Sequence, residues 1–404
     1  MKAIFSPGPS PDPTIENISY ESQIKEEEMK AIFSPGPSYH DPEVRKYAGW
    51  VRILDLYREG LEELGYEVFI PKVDPSLIDQ SSTVSKILSY DVVAASQIPT
   101  DVDLFLGPPG YSLAQIMMLK DRHWPTLPYS EDDGVTMKIH IPTPPKIFTY
   151  VWNNQDWWRD QQLAEEYKRF GRPYDLSLTW RWINETALKL CDHVIACSPW
   201  VKKTHAKIVP ENKISISFWG VDSQMFTPAE VEPPGFRVLF VGGDPIRKGL
   251  GYLIDALFGM NPLATQLLPE LWIAGCEVEL RDIGFPVKQF GMVPFAQMPE
   301  IYRQCHVLCI PTLEDGIALA IQEGMASGLV PITSPETAEV FEDGKSGIKV
   351  GYRDVDGIRN ALVMLKENPE KRREMAREAR VLAEQQTWAE TKRQFKEIIK
   401  EVDE

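Results

Sequence analysis

From Met29 onward, short runs of apolar, β-branched and aromatic residues alternate with longer segments whose apolar positions recur every three or four residues. The first run is residues 30–33, followed by a Ser-Pro-Gly-Pro turn. Next comes a segment over 43–65 in which Tyr47, Val51, Leu54, Leu61 and Leu64 fall at roughly helical spacing before Gly65. Further runs at 67–70, 102–106, 146–151 and 193–197 each end at a turn or a polar residue. Unbroken apolar runs separated by amphipathic helices predict a parallel sheet covered on both faces.

Proline, glycine and acidic residues then cluster over 220–235, the composition of a linker. A fresh series follows: strands at 237–241, 270–274, 287–290, 306–310, 330–333 and 347–350, and a helix near 250–258. The last ~50 residues read as helical and charge-rich. The expected fold class is α/β, with two Rossmann-like domains whose strand ends face a central cleft, where ligands bind. The boundaries are set at 29–228 and 229–386, with a separate helix over 387–404.

Residues 1–10 and 29–38 both read MKAIFSPGPS. Only the second copy runs into a helical pattern, so Met29 is taken as the start of the folded unit. Residues 1–28, with two basic and six acidic side chains, are read as an extension duplicating that start.

The chain carries 43 basic and 59 acidic residues, a formal charge of −16, which argues against nucleic acid as a partner and limits membrane contact to the periphery. No stretch reaches the ~18–20 uninterrupted apolar residues of a membrane span. The beginning of the chain lacks a basic segment followed by an apolar run, so a cytoplasmic location is expected. The five cysteines are odd in number and form no Cys-x-x-Cys pair, so neither a disulfide framework nor a zinc site is expected.

Three segments carry candidate chemistry. In residues 240–251 a strand ends at a Gly242-Gly243 turn, and Arg247 and Lys248 precede a helix, an arrangement suited to a diphosphate. In residues 311–328 Asp315 and Glu323 stand eight apart, with the amides of Gly316, Ile317 and Ala318 expected at a helix start. Carboxylates beside a phosphate site suit sugar hydroxyls, which donate to them. An aromatic stretch contains Trp152, Asn153 and Asn154 just past a strand end, a place for stacking on a sugar. Asp101/Asp103 and Asp354/Asp356 are read as a strand start and a helix start rather than metal sites. No Gly-x-x-x-x-Gly-Lys-Ser/Thr loop occurs. His40 and His123 lie in loops that could reach the cleft.

Taken together these segments resemble the retaining glycosyltransferases of family 4, the glycosyl transferases group 1 with the GT-B fold. The resemblance runs in order over residues ~190 to 400. It includes Gly220-Val-Asp222 with Phe226-x-Pro228, Phe290-Gly-x-Val293, Met298-Pro-x-x-Tyr302, Asp315-Gly-Ile-Ala-Leu…Glu323-Gly-Met-Ala-Ser-Gly328, and Thr387-Trp388.

The resemblance implies that residues 29–228 bind an acceptor and 229–386 a nucleotide sugar, and that the last helix crosses back onto the first domain. It further implies that Lys248 contacts the donor diphosphate and Glu323 the ribose. Asp315 meets the sugar, helped by the backbone of Gly316 to Leu319, and Gly291 to Val293 line the base. On the acceptor side Gly36, Trp152, Asn153 and Asn154 are the candidates. The expected reaction is metal-independent, retaining transfer of a hexose from a UDP- or GDP-linked donor to a hydroxyl, with no cofactor. Two departures stand out: the family's Gly-Arg is Gly242-Gly243 here, and its first glutamate is Asp315. They leave a catalytically degenerate sugar-nucleotide-binding partner, or a nucleotide-sugar epimerase, as alternatives.

Overall fold

Apolar runs without polar alternation are stable only where both faces of a sheet are covered, and both series fold that way. The computed structural model describes residues 29–35, 41–47, 50–78, 83–99, 101–121, 144–174, 178–260, 269–280 and 284–403. The extension over 1–28 lies outside them, as do Gly36, His40 and His123.

The first half runs β1 (Lys30–Phe33), α1 (Pro42–Tyr47), α2 (Trp50–Glu63), β2 (Glu67–Phe69), α3 (Thr83–Ser96), β3 (Leu104–Gly107) and α4 (Leu113–Asp121). It continues through β4 (Lys146–Val151), α5 (Asp156–Arg169), α6 (Leu178–Leu190), β5 (His193–Ala196), α7 (Pro199–His205) and β6 (Ile214–Ile216). The second half comprises β7 (Arg237–Val241), α8 (Leu250–Phe258), β8 (Glu270–Ala274), β9 (Val287–Gln289), α9 (Met298–Arg303), β10 (Val307–Ile310), α10 (Leu319–Ala326), β11 (Val330–Thr333) and β12 (Ile348–Lys349). Three helices end it: α11 (Val355–Glu367), α12 (Pro369–Gln385) and α13 (Trp388–Asp403).

The strands form two six-stranded sheets, ordered β2-β1-β3-β4-β5-β6 and β12-β11-β10-β7-β8-β9, with every named pairing parallel. Strand order reverses between β1 and β3 in the first sheet and between β7 and β10 in the second. Those two points, at the carboxyl ends of the strands, are where an α/β sheet offers a ligand crevice.

The strands sit where the apolar runs predict. One feature differs: β6 lies over 214–216, just before the linker, where no apolar run is read. Helix is described over 42–47 and 50–63 of the predicted helical segment, with residues 48–49 outside the described residues. Both Asp-x-Asp patterns are structural. Asp103 accepts the Lys30 backbone N–H at 2.7 Å, and Asp354 caps α11 by accepting from Gly357 N at 2.8 Å.

The linker delivers the chain to the second sheet, and α13 brings it back. Its Phe395 is fully buried and stacks on Tyr57 of α2, ring centroids 4.5 Å apart. Lys392 and Lys396 of α13 pair with Glu63 at the end of α2. The last helix therefore belongs to the core of the first domain, and truncation of its central ring should loosen that domain. Phe395→Ala is expected to cost ~3–5 kcal/mol, read as a lower urea midpoint.

Candidate functional site

The site is built where the second sheet reverses. After β7, Asp244 Oδ1 accepts the backbone N–H groups of Ile246 (3.2 Å) and Arg247 (3.0 Å), an aspartate turn that aims two cations in succession. Gly249 follows with φ +74°, and a Cβ there would stand 2.1 Å from the Pro311 carbonyl oxygen. Only glycine lets the β7 loop lie this close to the end of β10. Leu313 N–H closes the junction by donating to Arg247 O at 2.8 Å.

The cations meet the acidic residues that end β10. Lys248 Nζ is ion-paired with Asp315. Arg247 Nη1 donates to Glu314 O at 3.0 Å and lies 3.7 Å from both the Glu314 and the Asp315 carboxylates. Burial opposes ionisation of Asp315, but Lys248 and Arg247 outweigh it and hold its carboxyl below the usual range. Burial also pushes the Lys248 ammonium below its ordinary value, against the pull of Asp315.

The first domain closes directly over this cluster. The buried Asn154 side-chain amide donates to Asp315 O (2.8 Å), Glu336 Oε2 (2.8 Å) and Glu314 Oε1 (3.3 Å). Trp158 Nε1 donates to the same Glu336 oxygen at 3.1 Å. Ser198 Oγ donates to Gly316 O at 2.8 Å. A Cβ on Gly316 would stand 1.9 Å from Trp152 O, so glycine is what allows the two domains to touch here. Burial, then the neighbouring Glu314 charge, pushes the Glu336 carboxyl up to about 9, so it holds a proton at neutral pH.

A second seam lies along α5. Glu166, fully buried, accepts from Tyr252 OH at 2.6 Å and from Arg353 Nε at 2.9 Å, both in the second domain. Tyr167 donates to Asp244, the residue that shapes the cation turn.

The donor-side candidates from the sequence gather at the ends of neighbouring strands. Gly242 N–H donates to Ala274 O at 2.9 Å, and Gly275 N–H donates to Gly291 O at 2.8 Å, which aligns the ends of β7, β8 and β9. Gly243 faces Gly275 across 3.6 Å, measured from the position of a Cβ. Val293 packs on the core just beyond. Glu323 lies one turn into α10 and accepts from Tyr302 OH at 2.8 Å, and burial raises its carboxyl to about 7. The helix α10 opens at Leu319 with Ala318 as its cap, and Gly316 and Ile317 lead directly into it. The Gly316 N–H donates to Asp315 Oδ1 at 3.1 Å.

On the acceptor side, Trp152, Asn153 and Asn154 line a pocket of about 80 Å³ in the first domain, together with Tyr111 and Trp180. Asp156 in its wall is held by Asn184 Nδ2 at 2.9 Å. Gly36 lies outside the described residues. The sequence reading missed Glu314, Glu336 and Glu166. Glu314 adjoins a named candidate, but Glu336 follows a different strand and has no spacing signal. Among the described residues no group of His, Cys, Asp and Glu is arranged to hold a metal ion, and no helix is long and apolar enough to cross a membrane.

Comparison with known proteins agrees with this geometry. Residues 235–368 match the family described as glycosyl transferases group 1. The chain is 31% identical over 169 residues to a phosphatidyl-myo-inositol mannosyltransferase of Mycolicibacterium smegmatis, covering 38% of this chain and 43% of that one. It is 28% identical over 171 residues to an MMP alpha-(1->4)-mannosyltransferase of Mycolicibacterium hassiacum, covering 39% and 40%. The chain thus spans less than half the length of these curated relatives. Among solved structures it resembles the sucrose-phosphate synthase of Thermosynechococcus elongatus, with a TM-score of 0.71, 15% identity, and 92% and 98% of the two chains covered. It also resembles Anabaena Alr3699/HepE in complex with UDP-glucose, with a TM-score of 0.61, 14% identity, and 92% and 100% covered. Residues 235–368 are therefore a glycosyl transferases group 1 domain, set in a chain with the GT-B fold.

Proposed function

We propose that the chain is a retaining hexosyltransferase. It takes a UDP- or GDP-linked sugar in the second domain and moves the hexose to a hydroxyl of an acceptor in the first. The observation that carries this reading is the convergence of Lys248 and Arg247 on Asp315 at the reversal point of the second sheet. The match of that domain to glycosyl transferases group 1 supports it, as do the mannosyltransferase relatives and the UDP-glucose in the Anabaena structure.

A diphosphate outcompetes a single carboxylate for two cations. On donor binding Lys248 and Arg247 meet the phosphoryl oxygens, and Asp315 is left to accept hydrogen bonds from the sugar hydroxyls. Glu323 is placed to accept from ribose. As the glycosidic bond breaks, charge grows on the leaving diphosphate. Lys248 and Arg247, fixed in a site closed by Asn154 and Trp158, stabilise it without a metal. The acceptor hydroxyl approaches from the Trp152–Asn154 side, and its proton passes to the leaving phosphate. Reaction takes place in the cytoplasm.

A thermal-shift panel of UDP, GDP, ADP and their hexose conjugates is the first test. One nucleotide series should raise stability, by ~2.7 kcal/mol at a hundredfold excess over Kd. No shift with any of them would favour the non-catalytic partner reading, which Gly243 and Asp315 motivate. Lys248→Ala should lower turnover by ~10²–10³, and undiminished transfer would remove that residue from the mechanism. Transfer should persist in a metal chelator.

The closed cleft also predicts a pH dependence. Glu336 has an ordinary carboxyl when unfolded but one raised to about 9 when buried, so the folded chain holds a proton that the unfolded chain releases. The stability this gives is complete below the unfolded value of about 4.5 and is lost as pH rises toward about 9. Glu336→Gln, whose carbonyl still accepts from Asn154 and Trp158, should flatten the melting temperature over that range. An unchanged slope would mean that Glu336 is ionised in the fold.

A further inference from the structure

We propose that a basic cleft on the far side of the second domain binds a small organic phosphate. The cleft encloses about 500 Å³, within the ~300–1,000 Å³ of ligand sites. It lies where Cys305 and His306 precede β10, at the amino ends of the strands, opposite the end that carries Lys248. Five arginines line it, Arg303, Arg372, Arg373, Arg377 and Arg380, against one carboxylate, Glu232. That local excess of positive charge stands out in a chain of net charge −16.

Four of the five arginines are held in place. The Arg372 side chain is only 9% exposed; it donates to Leu365 O at 2.8 Å and to Glu232 at 2.8 Å. Arg373 shares Glu232 at 2.9 Å, so one carboxylate faces two guanidinium groups. Arg380 pairs with Glu384 at 2.8 Å and donates to three carbonyls, among them Ser223 O at 2.9 Å in the linker. Arg303 pairs with Glu300 at 2.9 Å. Arg377 is exposed and has no hydrogen-bond or ion-pair partner among the described residues.

Fixed guanidinium forks with spare donors match phosphate oxygens in pairs. The rest of the wall is apolar, formed by Pro228, Ala376 and the half-exposed Val381, which suits an organic body beside the phosphate. His306 contributes no charge, because its Nδ1 accepts the Arg237 N–H at 3.1 Å and burial lowers its basicity to about 4. The concave shape and the chain's overall negative charge favour a small soluble anion over a nucleic acid or a lipid surface.

The test uses the intact chain, with phenyl phosphate as probe, and titration calorimetry. Saturable binding is expected, tighter than that of inorganic phosphate. It should weaken by ~10-fold or more in the Arg373→Gln/Arg377→Gln double variant, as expected for lost charge-assisted hydrogen bonds. Both positions are exposed, and the variant's melting temperature without ligand checks that it folds. Binding should be unchanged by Lys248→Ala, which separates this cleft from the donor site. Four outcomes would overturn the proposal: no saturable binding, equal binding to the double variant, loss in Lys248→Ala instead, or binding to phosphatidic-acid vesicles without binding of phenyl phosphate.

Discussion

Three acidic side chains, Glu314, Asp315 and Glu336, are buried where the two domains meet, and everything else at the cleft is arranged around that fact. Burying carboxylates is costly unless each finds a cation, a hydrogen-bond donor or a proton. Lys248 pairs with Asp315, Arg247 lies against both Glu314 and Asp315, and Asn154 donates to one oxygen each of Glu314 and Glu336 from the other domain. Glu336, with no cation left for it, keeps its proton. The acidic group at the reversal point of the second sheet also gives the first domain a reason to close.

Closure is held at two places with different physics. Next to the cation pair it rests on the side chains of Asn154, Trp158 and Ser198 and on a backbone contact, Trp152 O against Gly316, which leaves no room for a side chain. Along α5 it rests on Glu166, which Tyr252 and Arg353 reach from the second domain. The link between the seams is Asp244. Its carboxylate shapes the turn that aims Arg247 while also accepting from Tyr167 of α5. Positioning of the cations and contact between domains therefore share one side chain.

Much of this was legible in the sequence, for identifiable reasons. The apolar runs forecast the strands because both faces of each sheet are covered. Arg247, Lys248 and Asp315 were legible because each follows a strand end by a short loop, and Glu323 because it stands eight residues after Asp315. What stayed hidden was whatever depends on pairing between distant segments. Glu336 acquires its role only because β11 runs beside β10 and Asn154 arrives from the other domain. Glu166 reads as one more charge on an amphipathic helix until Arg353 is seen beside it. The strand β6 was missed because Ile214-Ser215-Ile216 carries a polar centre and no unbroken apolar run.

The return of α13 to the first domain has a consequence for how the protein is made. A ribosome delivers the α2 surface around Tyr57 long before Phe395, because the whole second domain is synthesised between them. At ~5–20 residues per second the wait is tens of seconds. Throughout that time the nascent first domain exposes the apolar face that α13 will cover, a natural target for a chaperone. The second domain has its own sheet and is free to fold while the first is still incomplete. The first domain becomes whole only when α13 closes the circuit.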